Sequence, residues 1–567
     1  MSTIFSWIFA SQPDDARQPA YRRLYLGIRA AILDGRLKPG EKLPATRDLA
    51  KQLRISRNTI VNAFDLLMSE GYLEGRIGAG SFVAASLPDH LFHTATSNSV
   101  GKTAPASPKT SSPSAPSTAQ RPAQITPTGS SANKSMAEGR KRPLRISKSA
   151  QRSLAFTRQH PHFPVSRPFN PAAPDLSAFP FDIWARLLRR AWRAPKPAIV
   201  TPDDSMGLAD LREEIAGWLR QTRGVNCSAA QIMIVSGAQQ ALDFIGRALI
   251  DPGDIVALED PGYEGIRGVL AANGAVIQPI PVDEEGLQVS ALNHPQSRDN
   301  SGQHRPQAGA DADADADADA GMDAKAGANI SPRMVVTTPS RNYPMGTTLS
   351  LARRLALLQW AHDNDGWIIE DDYDSEYRYD GPPLSSLQGL DREDRVLYVG
   401  TFSRVLFPGI RLGYLVLPHD LVPVFRGLRS FADGVPAPTA QAALAAFFAD
   451  GHFGSHVRRM RLLYGDRRQH LLNLINDRAS DLLDIVVNDG GLHVCARLIN
   501  GQPDQKYQPA LLAKQIDCRF LSSYFHDKTH SENIADRQGL IMGFAGWEKS
   551  QLEQSFGDLV RILRRND

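Results

Sequence analysis

The sequence predicts a multidomain chain: a small α+β domain, then a large α/β domain, joined by a disordered linker. Three observations predict it. Within residues 19–85 apolar residues recur at helical spacing and then give way to a Gly-punctuated alternating stretch. A tract rich in Ser, Pro, Thr and Ala follows. From residue 166 onward, short apolar runs alternate with helical patterns, as in a parallel sheet covered by helices.

Composition sets the outer limits. The 567 residues are too many for one core, and a hydrophobic content of 42% with 22% charged residues excludes fibrous or wholly disordered classes. Cys227, Cys495 and Cys518 are far apart and form no CxxC pair, so neither a disulfide framework nor a metal site is expected, and a reducing cytoplasm fits best. The opening MSTIFSWIFA has no basic flank and no later apolar run is long enough to span a bilayer, so residues 1–18 read as an N-terminal extension, with no export signal and no membrane partner. The net charge of +3 is unevenly spread: residues 20–84 carry +5, 85–160 carry +9, and 161–567 carry −10. A basic N-terminal part points to a polyanion as its partner.

Residues 19–85 have the grammar of a winged helix-turn-helix. YRRLYLGIRAAILDG places Leu24, Ile28, Ala31 and Ile32 on one helical face and stops at Gly35, a C-cap. A second helix, ATRDLAKQL, leads to SRNTIVNAFDLLMSEG, with Ser56 as N-cap and Ile60, Val61, Phe64, Leu67 and Met68 as the buried stripe. Arg57, Asn58, Thr59 and Asn62 then face outward, where a recognition helix presents its first residues to the major groove of double-stranded DNA. GYLEGRIGAGSFVA alternates as a hairpin whose tip, Gly78 to Gly80, turns tightly.

Residues 86–165 read as a flexible Ser/Pro-rich linker: from about Ser86 to Ser147 they hold almost no large apolar side chain and bury too little surface to offset the entropy of ordering. Residues 295–330, with their Asp-Ala repeat, interrupt the α/β pattern as a disordered insertion.

The large domain, 166–567, carries its chemistry at strand ends. QIMIVSGAQQALDFIGRALI reads as strand, Gly turn, helix, so Gly237, Ala238 and Gln239 open a helix N-terminus fit for an anion. VALEDPGYEG delivers Tyr263 to a carboxyl edge, and GWIIEDDYDSEYRY delivers Asp371, Asp372 and Tyr373. Carboxylates there suit a cationic partner such as a protonated ring nitrogen, and equally a solvated strand end. YVGTFSRVLFPGIRLGY adds Thr401, Ser403, Arg404 and Arg411, donors for a second grip on a phosphate.

The N-terminal domain resembles the GntR class of regulators, through LKPGEKLPATRDLAKQL, SRNTIVNAF and GSFVA in that order. The resemblance implies that Arg47 and Arg57 grip phosphates or bases, that Asn58 and Thr59 add contacts, and that Gly78 and Gly80 touch the minor groove. The large domain resembles the fold type I, pyridoxal-phosphate-dependent aminotransferases. With FPFDIWARLLRRAWR, LADLREEIAGWLRQTRGV and HVRRMRLLYGDRR, the whole chain resembles the MocR family, in which an aminotransferase-like domain serves as effector sensor.

That resemblance implies a phosphate cup of Gly237, Ala238, Gln239, Thr401, Ser403 and Arg411, with Tyr263 stacked on the pyridine ring, Asp371 on its nitrogen and Tyr373 on its phenolic oxygen. It also implies a homodimer. Three positions depart: Arg341-Asn342 where the family commonly has His-Gln, Ile541 near the usual substrate-carboxylate arginine, and Arg404 where the Schiff-base lysine belongs. A Schiff base needs an amine that can lose its proton, and a guanidinium does not. No lysine occurs between residues 326 and 505 to replace it. The reading is a DNA-binding transcriptional regulator whose sensor domain has no catalytic residue at 404 and holds pyridoxal 5′-phosphate non-covalently if at all. The alternative is a pyridoxal-phosphate-dependent aminotransferase fused to a DNA-binding domain.

Overall fold

The structure, a computed structural model, describes residues 20–33, 36–53, 55–69, 72–76, 80–84, 145–159, 167–193, 195–293, 331–379, 384–486, 489–526 and 534–565. The N-terminal extension, most of the linker and the insertion at 295–330 lie outside the described residues, as do Gly35 and Gly78.

The N-terminal domain is built from α1 (Ala20–Leu33), α2 (Thr46–Leu53), α3 (Arg57–Ser69) and an antiparallel hairpin of β1 (Leu73–Arg76) and β2 (Gly80–Val83). Leu24, Ile28, Leu49, Ile60, Phe64, Leu67, Tyr72 and Val83 share one core. Val61, expected in the stripe, is only half-buried, and Ala63 takes its place. Spacing explains it: 60, 63, 64 and 67 fall on one helical face, and 61 lies a third of a turn away. Ser56 caps α3, its Oγ accepting from the Thr59 N–H at 3.1 Å.

Inside the span read as linker, Lys148–Gln159 forms a helix, α4. Two features of that stretch were undervalued. Ser147 Oγ accepts from the Ala150 N–H at 3.1 Å, starting the helix. Phe156 packs where Gly268 has no side chain; a Cβ there would lie 2.5 Å from the Phe156 ring.

The large domain then follows as α5 (Ala209–Arg223), β3 (Ile232–Val235), α6 (Ala238–Leu249), β4 (Ile255–Asp260), α7 (Glu264–Ala272), β5 (Val276–Asp283), β6 (Gly286–Leu287), β7 (Met334–Thr337), α8 (Leu351–Asp363), β8 (Trp367–Asp372), β9 (Val396–Thr401) and β10 (Gly413–Val416). The strands order as β3-β10-β9-β8-β7-β4-β5-β6; β9, β8, β7, β4 and β5 run parallel, while β10 is antiparallel to both neighbours. Strands covered on both faces are apolar throughout, which is why the sequence shows runs rather than alternation. Met334 and Val336 pack against α6 and α7 with Ile369, Leu397 and Val399, while Val335, Ile368 and Val396 face α8. A smaller antiparallel sheet, β11 (Leu483–Val486), β12 (His493–Leu498), β14 (Gly539–Gly543) and β13 (Arg519–Phe520), completes the domain. Among the described residues no helix is long and apolar enough to cross a membrane.

Candidate functional site

The strand order brings five chain segments to one carboxyl edge: those after β3, β4, β7, β8 and β9. Register places Asp372 opposite Gly400, Thr401 opposite Gly413, and Gly413 opposite Val235. Glycines let the segments close up. A Cβ at Gly400 would fall 2.1 Å from the Tyr414 ring, and one at Gly413 would fall 3.0 Å from the Gly237 Cα.

Gly237, at φ 111°, precedes α6, whose first N–H groups have no partner within the helix. Arg411, itself in left-handed backbone, reaches the same place: a Cβ at Gly237 would lie 3.9 Å from its Nη1. Thr401 Oγ1 accepts from the Ser403 N–H at 3.3 Å. Gln239 is exposed, and its amide lies with the Tyr263 ring over Gly265, where a Cβ would meet them at 2.3 and 2.6 Å. Gly237, Arg411, Thr401 and Ser403 are thus drawn together, and Gln239 with Tyr263. Tyr263 is 41% exposed and stands edge-on to Tyr343, ring centroids 5.8 Å apart.

The two aspartates that end β8 have opposite fates. Asp372 is saturated by Arg223 Nε at 3.0 Å, Ser375 Oγ at 2.7 Å and the Tyr398 hydroxyl. Asp371 is buried, and its Oδ1 has no hydrogen-bond partner among the described residues. Burial, with Asp372 adjacent, pushes its carboxyl up to about 7 against the counter-effect of Arg404. Glu259, half-buried, is fully engaged by Thr337, Thr338 and Asn342.

Arg404 Nη1 donates to the Pro171 carbonyl at 2.8 Å. Its guanidinium carbon lies 5.5 Å from the Tyr373 ring and 5.9 Å from the Tyr343 ring, within cation–π range. Arg341 is buried and donates to Tyr373 Oη at 3.2 Å, Asp374 Oδ2 at 3.0 Å and the His493 carbonyl at 3.0 Å. Ile541 does not join this group; it is buried with Met345, Cys495 and Leu521.

Sequence reasoning missed Tyr343, whose ring meets Tyr263, Tyr373, His493 and Tyr524, and whose hydroxyl is 3.1 Å from that of Tyr524. The Tyr-Pro of TPSRNYPMG was its signal. Tyr524 and Pro171 had none, because they arrive from distant segments.

In the N-terminal domain Arg47 and Arg57 are exposed near the starts of α2 and α3. Thr59 is half-buried, its hydroxyl 2.8 Å from Ser56 Oγ. Gly80 opens β2 at φ 103°, a conformation that suits glycine, and a Cβ there would lie 3.5 Å from Lys42 Cε, a wing cation that the sequence reading passed over. The side chain of Asn58 lies outside the described residues.

Comparison with known proteins matches residues 20–83 to the family "Bacterial regulatory proteins, gntR family" and residues 201–515 to "Aminotransferase class I and II". The chain is 34% identical over 546 residues to the probable rhizopine catabolism regulatory protein MocR of Rhizobium meliloti, covering 96% of this chain and 94% of that protein. The chain belongs to the MocR-type transcriptional regulators. Other MocR-type relatives include the pyridoxine biosynthesis regulator PdxR of Corynebacterium glutamicum, 29% identical over 93% of this chain and 92% of the relative. The large domain has the fold of LysN, the α-aminoadipate aminotransferase of Thermus thermophilus, at a TM-score of 0.60 and 22% identity over 74% of this chain and 97% of LysN. As a MocR-type protein the chain is a transcriptional regulator with an aminotransferase-like domain, and that domain's family binds pyridoxal phosphate. GntR-type regulators bind DNA.

Proposed function

We propose that this MocR-type regulator uses its large domain as a non-covalent receptor for a pyridoxal-phosphate-like ligand. Gly237, Ala238, Gln239, Thr401, Ser403 and Arg411 hold the phosphate, Tyr263 lies against the ring, Asp371 takes the ring N–H and Tyr373 contacts the phenolic oxygen. The observation that carries the reading is Asp371: a buried carboxyl oxygen without a partner among the described residues, beside an Asp372 held by Arg223, Ser375 and Tyr398. Buried polar atoms are nearly always satisfied, and a protonated ring nitrogen supplies the missing donor.

When bound, the cofactor supplies an aldehyde and an electron-withdrawing ring. Residue 404 offers no amine to meet it. Arg404 is anchored to Pro171, and a guanidinium is no proton shuttle, so the residues here orient a ligand. The output is read by the winged helix, where Arg47 and Arg57, helped by Asn58, Thr59 and the Gly78–Gly80 tip, contact double-stranded DNA. A homodimer in the cytoplasm completes the proposal, since two winged helices then address paired half-sites; sedimentation checks it.

The test is calorimetric titration of the full-length protein with pyridoxal 5′-phosphate, followed by borohydride reduction and mass spectrometry. Saturable binding with no added mass after reduction is the expected result. No binding at millimolar ligand defeats the receptor reading, and a trapped adduct defeats the non-covalent one.

A further inference from the structure

Three arginines approach the site, and one of them, Arg341, is committed within the fold. Arg341 is consumed by Asp374, Tyr373 and the His493 carbonyl. Arg411 lies at the N-terminus of α6 beside Gly237. Arg404 spends one donor on Pro171, and its cationic plane rests near the rings of Tyr343 and Tyr373. It lies over the ring of Tyr373, two residues past Asp371, yet among the described residues no hydrogen bond joins it to that carboxyl, whose Oδ1 has no partner there. Arg404 thus keeps guanidinium donors beyond the one on Pro171, and Asp371 keeps an oxygen without a partner among the described residues.

Building on the receptor reading above, we infer that Arg404 is the specificity-determining residue of the pocket. It selects the aldehyde and acid forms of the phosphorylated pyridine ligand and rejects the aminomethyl form. A pyridinium N–H is matched by Asp371 in all three forms. They differ in the group that meets residue 404. A carbonyl or carboxylate accepts from the guanidinium fork, the carboxylate with two parallel bonds. An ammonium brings a second positive charge beside the half-buried Arg404, where like charges repel. A lysine able to shed its proton accommodates an amine neighbour; a guanidinium does not shed its proton. The protein then reports the oxidised side of this ligand pool.

The experiment is titration calorimetry of the full-length protein with pyridoxal 5′-phosphate, pyridoxamine 5′-phosphate and 4-pyridoxate 5′-phosphate, repeated on Arg404→Met and Arg404→Gln. Wild-type protein should bind the aldehyde and acid forms tighter than the amine by roughly tenfold or more, equivalent to about 1.4 kcal/mol. In both variants the ranking should collapse to within about threefold, with unchanged circular dichroism confirming the fold. Equal or tighter binding of the amine by wild type overturns the inference, as does an undiminished preference in both variants. If either variant misfolds, the wild-type ranking still decides. Binding of all three forms alike sinks the role of Arg404 alone, whereas binding of none sinks it together with the receptor reading.

Discussion

Replacing Asp371 by Asn should make the ligand-free protein more stable at pH 8, and by an amount that depends on pH. The carboxyl stands at about 7 in the fold against an ordinary value of 3.8, chiefly because burial disfavours its charge. A folded-state value above the unfolded one means that the stability present below about pH 4 is lost as pH rises toward 7. Each pKa unit is worth about 1.4 kcal/mol, so the ionised carboxylate costs the fold on the order of 4 kcal/mol at pH 8. Asn removes that charge but leaves a buried amide with unmet hydrogen bonds, a penalty of about 1–3 kcal/mol. The net change is therefore a gain of about 1–3 kcal/mol at pH 8 and a loss of up to about 1–3 kcal/mol near pH 4. Differential scanning fluorimetry of wild type and Asp371→Asn from pH 5 to 8 measures it: the variant should melt higher at pH 8, with the gap closing toward pH 5. Pyridoxal phosphate should raise the melting temperature of wild type and not of the variant. A variant equally destabilised at pH 5 and pH 8 would show that Asp371 has a partner in the fold and remove the main support for a receptor pocket.

Arg404→Lys should gain a cofactor-sized mass on residue 404 after pyridoxal phosphate and borohydride, while wild type gains none; digestion and mass spectrometry locate the adduct. Gly491→Ala should cost about 3 kcal/mol or more in urea denaturation, because a Cβ there would lie 2.0 Å from Arg341 Nη1 at φ 79° and would break a buried ion pair; a midpoint matching wild type would contradict that packing. Arg47→Ala and Arg57→Ala should each weaken operator binding in gel shifts, by about 1–3 kcal/mol for a bidentate base contact and less for a phosphate. Raising salt should loosen the wild-type complex steeply, and less steeply in the double variant.

Much of this protein was legible before any fold was available. Apolar spacing laid out the helices of the N-terminal domain, although Val61 and Met68, expected buried, and Thr59, expected outward, are all half-buried, because a helical face is narrower than a count of apolar residues implies. Uninterrupted apolar runs announced strands covered on both faces, and side-chain chemistry settled that residue 404 offers no amine. These properties are local: they depend on a residue's own chemistry or on neighbours within a turn or two.

Tertiary structure decided what depends on residues far apart in sequence. EDD at the end of β8 offers adjacent carboxylates, and nothing in that triplet says which is left over. Arg223, 149 residues away, and Tyr398 claim Asp372, so Asp371 is the one whose Oδ1 has no partner among the described residues. Arg341 read as a polarity change near the ring, yet its charge is absorbed by Asp374 and accommodated by the missing side chain of Gly491. The helix Lys148–Gln159 is not legible within its linker-like stretch because its stabilising contact, Phe156 on Gly268, joins segments that only folding brings together. Sequence determines which groups are available; burial and distant partners determine which of them remain free to act.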